Sequence, residues 1–192
     1  MGALEFPLPA LKRHRISADD YLRMAEQGLL PRDARIELID GEIIEMAAIG
    51  TRHWAAVNRL TRLIVSALGD RAVVSVQSNF RLDDFSQPEP DLGVFLPRTD
   101  FYVGALPSAA DTLLLIEVAD SSARYDRQIK LPLYARCGVP ELWIVDLDAG
   151  LFRSYREPRG DDYLQASATA QPGVVGIAAL PGVRIDLAGL LG

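Results

Sequence analysis

The chain has 192 residues, of which 49% are hydrophobic and 24% charged, and these values suit one soluble globular domain with a single core. A net charge of −6 argues against a protein that coats nucleic acid by bulk positive charge, but leaves room for a nuclease whose basic residues cluster on one face. The single cysteine, Cys137, excludes an internal disulfide framework and a cysteine-based zinc site, and no apolar run has the roughly 20 residues of a membrane-spanning helix. With no export signal near the N-terminus, we expect a cytoplasmic protein without a membrane partner.

The first part of the chain is predicted to form an arm, a helix and a hairpin. Residues 1–16 show little periodicity and are assigned to an N-terminal arm, which leaves 17–192 as one domain. Ser17 is a good N-cap and predicts a helix that ends near Gln27. The Asp-Gly pair at 40–41 lies between two alternating segments, a strong signal for a β-hairpin.

The rest of the chain alternates between helical and strand patterns. Apolar residues at helical spacing, with Trp54 at their head, predict a helix over 51–68, and Trp143 is likewise assigned to the core. A second helix is predicted over 125–136. Strands are predicted over 73–82, 91–96, 112–119, 142–146, 151–156, 163–168 and at the start of the tail, 183–191. This order predicts an α/β (α+β) fold with a mixed central β-sheet flanked by helices on both faces.

Two acidic residues stand in the predicted buried strands. Asp91 begins one strand and Glu117 lies near the end of the next, where a carboxylate is costly to bury unless it is paired or binds a cation. Neighbouring strands can bring both groups to one end of the sheet, where their oxygens would suit Mg²⁺. Lys130, on the following helix, could orient or deprotonate an attacking water and offset negative charge.

An arrangement of ordinary salt bridges is the alternative interpretation of the same residues. Asp91 would then cap a turn, Glu117 would pair with Arg124 or Arg127, and Lys130 would be solvated. Buried ion pairs also perturb titratable groups, so spacing alone does not separate the two interpretations.

Other polar residues are secondary candidates. Asp126, Lys130 and Tyr134 are four residues apart and share one helical face, which either turns toward the metal or forms an ordinary ion pair beside an amphipathic tyrosine. Pro132 lies inside this helix, and a break there would take Tyr134 out of register with Lys130. Cys137, near the end of the helix, is assigned a structural role.

Glu37 and His53 are weaker candidates still. Glu37 is interpreted as a further metal ligand or as a partner for a lysine. His53 opens the long helix and either contacts phosphate, tunes the metal shell or bonds to a neighbouring loop. Glu45, Gln77 and Arg81 are rim residues or plain surface.

Taken together, these segments resemble a large bacterial family of putative restriction endonucleases, long classed as a domain of unknown function, within the PD-(D/E)XK nuclease superfamily. The resemblance covers roughly residues 16–190. It is carried by residues 37–41, His53, 87–92, 115–118, 121–122, 125–126, Lys130, 133–135 and 138–146.

The resemblance implies a restriction-endonuclease-like fold and a metal-dependent deoxyribonuclease, with Mg²⁺ or Mn²⁺ bound by Asp91, Glu117 and the carbonyl of Val118. Ala119 stands where the superfamily usually has its lysine, and in this family the lysine lies on the following helix, here Lys130. DNA is the expected substrate, and a homodimer is expected because two active sites suit double-strand cleavage. The rival hypothesis is a non-catalytic module that binds nucleic acid or a protein on a nuclease scaffold.

Overall fold

The computed structural model describes residues 13–31 and 34–191. Most of the predicted N-terminal arm, 1–16, lies outside the described residues. Its last residues lie against the β-hairpin that follows helix α1, and Arg13 pairs there with Glu42 at 2.8 Å. Within the described residues, no helix has both the length and the apolar character to cross a membrane.

The N-terminal elements follow the predicted order. Helix α1 spans Ala18–Glu26, and the side chain of Ser17 caps it by accepting a hydrogen bond from the amide of Asp20. Strands β1 (Ile36–Ile39) and β2 (Glu42–Glu45) form the predicted hairpin. Helix α2 spans Thr51–Leu68, as predicted, and a 3₁₀ turn, Gly69–Arg71, follows it.

A six-stranded mixed sheet forms the centre of the domain, with the strand order β3-β4-β5-β6-β7-β8. Strands β5 and β6 are parallel, and the other neighbours are antiparallel. The strands are β3 (Val73–Val76), β4 (Leu92–Phe95), β5 (Thr112–Ala119), β6 (Glu141–Asp146), β7 (Leu151–Arg159) and β8 (Asp162–Thr169). Short strands β9 (Val174–Val175) and β10 (Ile185–Asp186) pair separately. The predicted mixed sheet is therefore confirmed.

One continuous helix, α3 (123–136), makes the crossover from β5 to β6. It consists of an α-helical turn Ala123–Tyr125, a π-helical turn Asp126–Lys130 and an α-helical part Leu131–Arg136. The observed helix thus begins two residues before the predicted start, and Pro132 does not break it. A proline lacks an N–H and crowds the carbonyl four residues before it, and the wider π turn accommodates both effects.

Helices cover both faces of the sheet. Because side chains alternate along β5, its residues pack into a separate part of the core on each face. Ile116 and Val118 pack on the face covered by α2 and the C-terminal segment. Leu115 packs on the opposite face, with Leu133 and Tyr134 of α3. Glu117 is two residues from Leu115 and therefore points toward α3.

Two predictions about apolar residues are wrong. The strand predicted over 73–82 ends at Val76, because Gln77 adopts a left-handed backbone conformation with φ 45°. Trp54 was assigned to the core but is 63% exposed, whereas Trp143 is buried as predicted. In the first turn of α2 the inward position belongs to His53, so Trp54, about 100° further round the helix, points to solvent.

Candidate active site

The register of β4 and β5 places Asp91 and Glu117 opposite each other. Leu92 pairs with Ile116 as the last pair of this antiparallel ladder, and the same register carried one residue further sets Asp91, just before β4, against Glu117. Directly opposed side chains on one face have Cβ atoms roughly 5 Å apart. Both residues are buried, with 6% and 3% exposure. The predicted convergence of the two acids at one end of the sheet is therefore present.

A cavity of about 330 Å³ opens at this end of the sheet, and the segment 44–50, from the end of β2 to the residue before α2, forms part of its lining. Lys130, His53 and Arg35 supply its basic groups. The acids that line it come from five separate parts of the chain: Glu37, Glu45, Glu89, Asp91, Glu117, Asp120 and Asp126. This excess of negative charge is unfavourable for a phosphate unless a cation is also present.

Three donors hold the carboxylate of Asp91. The amide of Val118 donates to Oδ2 at 2.8 Å, and the side-chain amide of Gln77 donates to Oδ1 at 3.1 Å. Nε2 of His53 lies 3.0 Å from the same Oδ1. Burial raises the pKa of Asp91, but hydrogen bonding and charge from His53, with the other two donors, outweigh it and leave the pKa below its usual value. Asp91 is therefore held as a carboxylate.

Lys130 and Tyr134 of α3 converge on Glu117. Nζ of Lys130 donates to Oε1 at 3.2 Å, and the hydroxyl of Tyr134 donates to the same oxygen at 2.7 Å. Burial raises the pKa of Glu117 to about 8, although the charge of Lys130 opposes the rise. The alternative pairings of Glu117 are wrong, since Arg124 bonds to Gln128 and Arg127 bonds within its own helix.

Lys130 is buried between acidic groups and is not solvated. Its Nζ lies 3.1 Å from Oε2 of Glu37 and 3.2 Å from Oε1 of Glu117. Burial lowers the pKa of Lys130, but the charges of Glu117, Glu37 and Asp126 more than offset this and raise it above the usual lysine value. Lys130 is thus an ammonium group at neutral pH.

The π turn helps to align the polar face of α3. In an α-helix, positions four apart drift by about 40° per step, and a wider turn reduces that drift. Asp126, Lys130 and Tyr134 are all buried on the side that faces Glu117. Burial raises the pKa of Asp126 to about 6, and Ser122 donates to its carboxylate at 2.9 Å. The prediction of one shared face is confirmed.

Glu37 reaches this centre from β1 as a partner of Lys130, which was one of its two predicted roles. The amide of Glu89 donates to its Oε2 at 3.1 Å, and the hydroxyl of Tyr125 donates to its Oε1 at 3.2 Å. Glu89 also pairs with Arg35 at 3.2 Å. Sequence reasoning gave no role to Tyr125 or Glu89, although both lie in the segments that carry the family resemblance.

The three rim candidates, Glu45, Gln77 and Arg81, lie in different places relative to the cavity. Glu45 lines the cavity, and Gln77 reaches past the rim to Asp91. Arg81 instead pairs with Asp19 and Asp84. No sequence signal separates Gln77 from its neighbours, because it occupies a polar position of an alternating pattern that continues to Leu82.

The chemistry of the oxygen donors fits a small hard cation. Asp91 and Glu117 offer carboxylate oxygens, and no donor among the described residues bonds to Oε2 of Glu117. The described residues contain no group of three or more His, Cys, Asp or Glu side chains arranged to hold a metal ion. Mg²⁺ takes one or two carboxylates and keeps several waters, so two acids with the Val118 carbonyl are a sufficient set.

A mixed sheet with helices on both faces, and opposed acids at one of its ends, defines a restriction-endonuclease-like fold of the PD-(D/E)XK type. The chain belongs to the Uma2 family of putative restriction endonucleases, whose profile matches residues 18–188. The recognised resemblance is thereby confirmed.

Two individual proteins are also similar to this chain. A crystal structure of a putative nuclease of the DUF820 group from Anabaena variabilis superposes with a TM-score of 0.68 at 19% identity, covering 92% of this chain and 97% of that one. At this identity the likeness supports the fold alone. An uncharacterised protein of Synechocystis is 28% identical over 123 residues, which span 62% of this chain and 67% of that protein.

Proposed function

We propose that the protein is an endonuclease that hydrolyses phosphodiester bonds of DNA, with Mg²⁺ or Mn²⁺ held by Asp91, Glu117 and the Val118 carbonyl. One observation carries the proposal: the buried carboxyl groups of Asp91 and Glu117 line one cavity, with the buried ammonium of Lys130 beside them. Membership of a restriction endonuclease family supports hydrolysis of nucleic acid.

Each residue of the cluster has a separate task. When bound, the cation supplies Lewis-acid chemistry that activates water and stabilises charge on the phosphate. Lys130 is protonated and has no free lone pair, so it orients the water and offsets negative charge rather than accepting a proton. Glu37 holds Lys130 in place, and Tyr134 holds Glu117. His53 orients Asp91.

The rival hypothesis, a non-catalytic binding module, is less well supported by this cluster. Three acids around one buried lysine are costly to maintain, and a surface that only binds DNA or protein does not require them. Calorimetric titration with Mn²⁺ distinguishes the two hypotheses. A nuclease site binds the cation and loses it in Asp91→Asn, whereas a scaffold without a metal site gives no heat of binding.

Plasmid nicking tests the activity directly. The purified protein is incubated with supercoiled and single-stranded DNA in Mg²⁺, Mn²⁺ or EDTA, beside Asp91→Asn and Glu117→Gln, which remove charge but preserve size. Asp100→Asn is the matched control, because Asp100 pairs with Arg98 in the loop after β4, away from the cavity. Metal-dependent cleavage lost only in the two site variants supports the proposal. Cleavage that persists in them contradicts the assigned site.

We further propose that the enzyme works as a homodimer in the cytoplasm. Two active sites would allow both strands of a duplex to be cut in one encounter. Sedimentation equilibrium measures the mass directly, and a monomer at working concentrations would contradict the dimer without affecting the assignment of the active site.

A further inference from the structure

Gln77 adopts a backbone conformation that side chains normally avoid. It follows the last residue of β3 and has φ 45°, where a Cβ atom is crowded by the backbone and glycine is favoured. Such a residue persists only when its surroundings compensate for the strain, and strained residues cluster at functional sites. At Gln77 the compensating contacts are hydrogen bonds, which both its backbone amide and its side-chain amide donate.

Both amide groups of Gln77 bond to Asp91. The backbone N–H donates to the carbonyl oxygen of Asp91 at 3.0 Å, and the side-chain Nε2 donates to Oδ1 at 3.1 Å. The left-handed turn at Gln77 ends β3 beside Asp91, the residue immediately before β4. One residue therefore fixes the main chain and the carboxylate of Asp91 together.

The chemistry of a glutamine suits this place better than that of other residues. Glycine would relieve the backbone strain and keep the N–H, but it would leave Oδ1 with His53 as its side-chain donor. A carboxylate at 77 would repel Asp91, and a basic side chain would compete with a cation for the same oxygen. A neutral donor orients the carboxylate and leaves its charge available.

We propose that Gln77 is a positioning residue that holds Asp91 in the orientation needed to bind a divalent cation, and that its strained backbone is retained for this purpose. The inference rests on the proposed metal site and adds a residue that acts through Asp91. Partners that orient a metal-binding carboxylate typically change metal affinity by 10- to 100-fold when removed.

The experiment compares Gln77→Gly with Gln77→Ala, which both lose the side-chain amide but differ in backbone strain. Mn²⁺ affinity is measured by calorimetry, and thermal unfolding is followed by circular dichroism in EDTA. We expect Mn²⁺ affinity to fall about tenfold in both variants. We expect Gln77→Gly to unfold at a higher temperature than Gln77→Ala, because alanine at positive φ is strained. Ser78→Ala, at the exposed neighbouring position, is the control.

Separate results overturn the inference and the proposed function. Wild-type protein that binds no Mn²⁺ would overturn both. Wild-type protein that binds Mn²⁺, with unchanged affinity in both Gln77 variants, would overturn the positioning role alone. A loss of affinity in Gln77→Ala but not in Gln77→Gly would also overturn it, because the effect would then follow backbone strain rather than the side-chain amide.

Discussion

Nε2 of His53 lies 3.0 Å from Oδ1 of Asp91. This contact joins the first turn of α2 to Asp91, the residue immediately before β4. His53 is 12% exposed, and its Nδ1 atom is buried without a hydrogen-bond partner among the described residues. This contact joins His53 to a proposed metal ligand and supports the predicted role in which His53 tunes the metal shell.

Replacement of His53 should change how metal binding depends on pH. His53 lowers the pKa of Asp91 against the opposing effect of burial, so His53→Ala raises that pKa and favours the protonated acid. We expect Mn²⁺ affinity in His53→Ala to fall roughly tenfold or more at pH 5.5, and by less at pH 8. His53→Gln retains a donor at a similar distance and should remain closer to wild type. Calorimetric titrations at both pH values test this, and an equal loss at the two would contradict it.

Tyr134 provides a second test, with a matched control in the same fold. Its hydroxyl donates to Glu117, whereas the buried hydroxyl of Tyr163 donates to the carbonyl of Val139 at 3.0 Å. We expect Tyr134→Phe and Tyr163→Phe each to lower the free energy of unfolding by about 1 kcal/mol in urea titrations. Only Tyr134→Phe should also weaken Mn²⁺ binding. Equal metal affinity in the two variants would show that Tyr134 has no part in the site.

Periodicity predicted the sheet and both long helices, because apolar spacing reflects which face of an element is buried. It also predicted that Asp91 and Glu117 meet at one end of the sheet. Their direct opposition could not be predicted, since the register of β4 and β5 depends on packing across the long connection 96–111. The position of Lys130 on the helix after Glu117 made it a candidate, and the family resemblance, with Ala119 in place of the usual lysine, supported that choice.

Each prediction that was wrong or left open has its own structural cause. The alternating hydrophobic pattern continues past Val76, and it carries no information about the left-handed backbone of Gln77 that ends the strand. The π turn Asp126–Lys130 in α3 does not appear in the hydrophobic period, which has no separate signal for a helix with i→i+5 hydrogen bonds. The contact of Glu37 with Lys130 joins two distant segments, so the sequence left its role open.

The exposure of Trp54 is testable because the chain has two tryptophans, and the other, Trp143, is fully buried. Trp54→Phe should shift the fluorescence emission to shorter wavelength and reduce acrylamide quenching, because only the buried indole remains. Its stability should change by less than about 0.5 kcal/mol, as expected for a surface position. A red-shifted, easily quenched emission that survives in Trp54→Phe would contradict this orientation.

The buried acids of α3 and β5 predict an unusual pH dependence of stability for the metal-free protein. Burial raises the pKa of Glu117 from 4.5 to about 8 and that of Asp126 from 3.8 to about 6. The folded state therefore holds these protons more tightly than the unfolded chain does. The resulting stability is fully present below about pH 4 and is lost as the pH rises toward 8. The pKa of Asp91 is lowered instead, so its contribution to the stability of the fold changes only below this pH range.

Urea unfolding in EDTA should therefore give a free energy of unfolding that falls by a few kcal/mol between pH 4.5 and pH 8. Glu117→Gln has no carboxyl group to titrate at this position, so its curve should be flatter and retain the smaller slope due to Asp126 and Glu89, whose pKa values are also raised by burial. Added Mn²⁺ should stabilise the wild-type protein most at pH 8, because the cation binds the deprotonated carboxylate. A wild-type curve as flat as that of Glu117→Gln would show that Glu117 already ionises at an ordinary pH, and that Lys130 neutralises it fully.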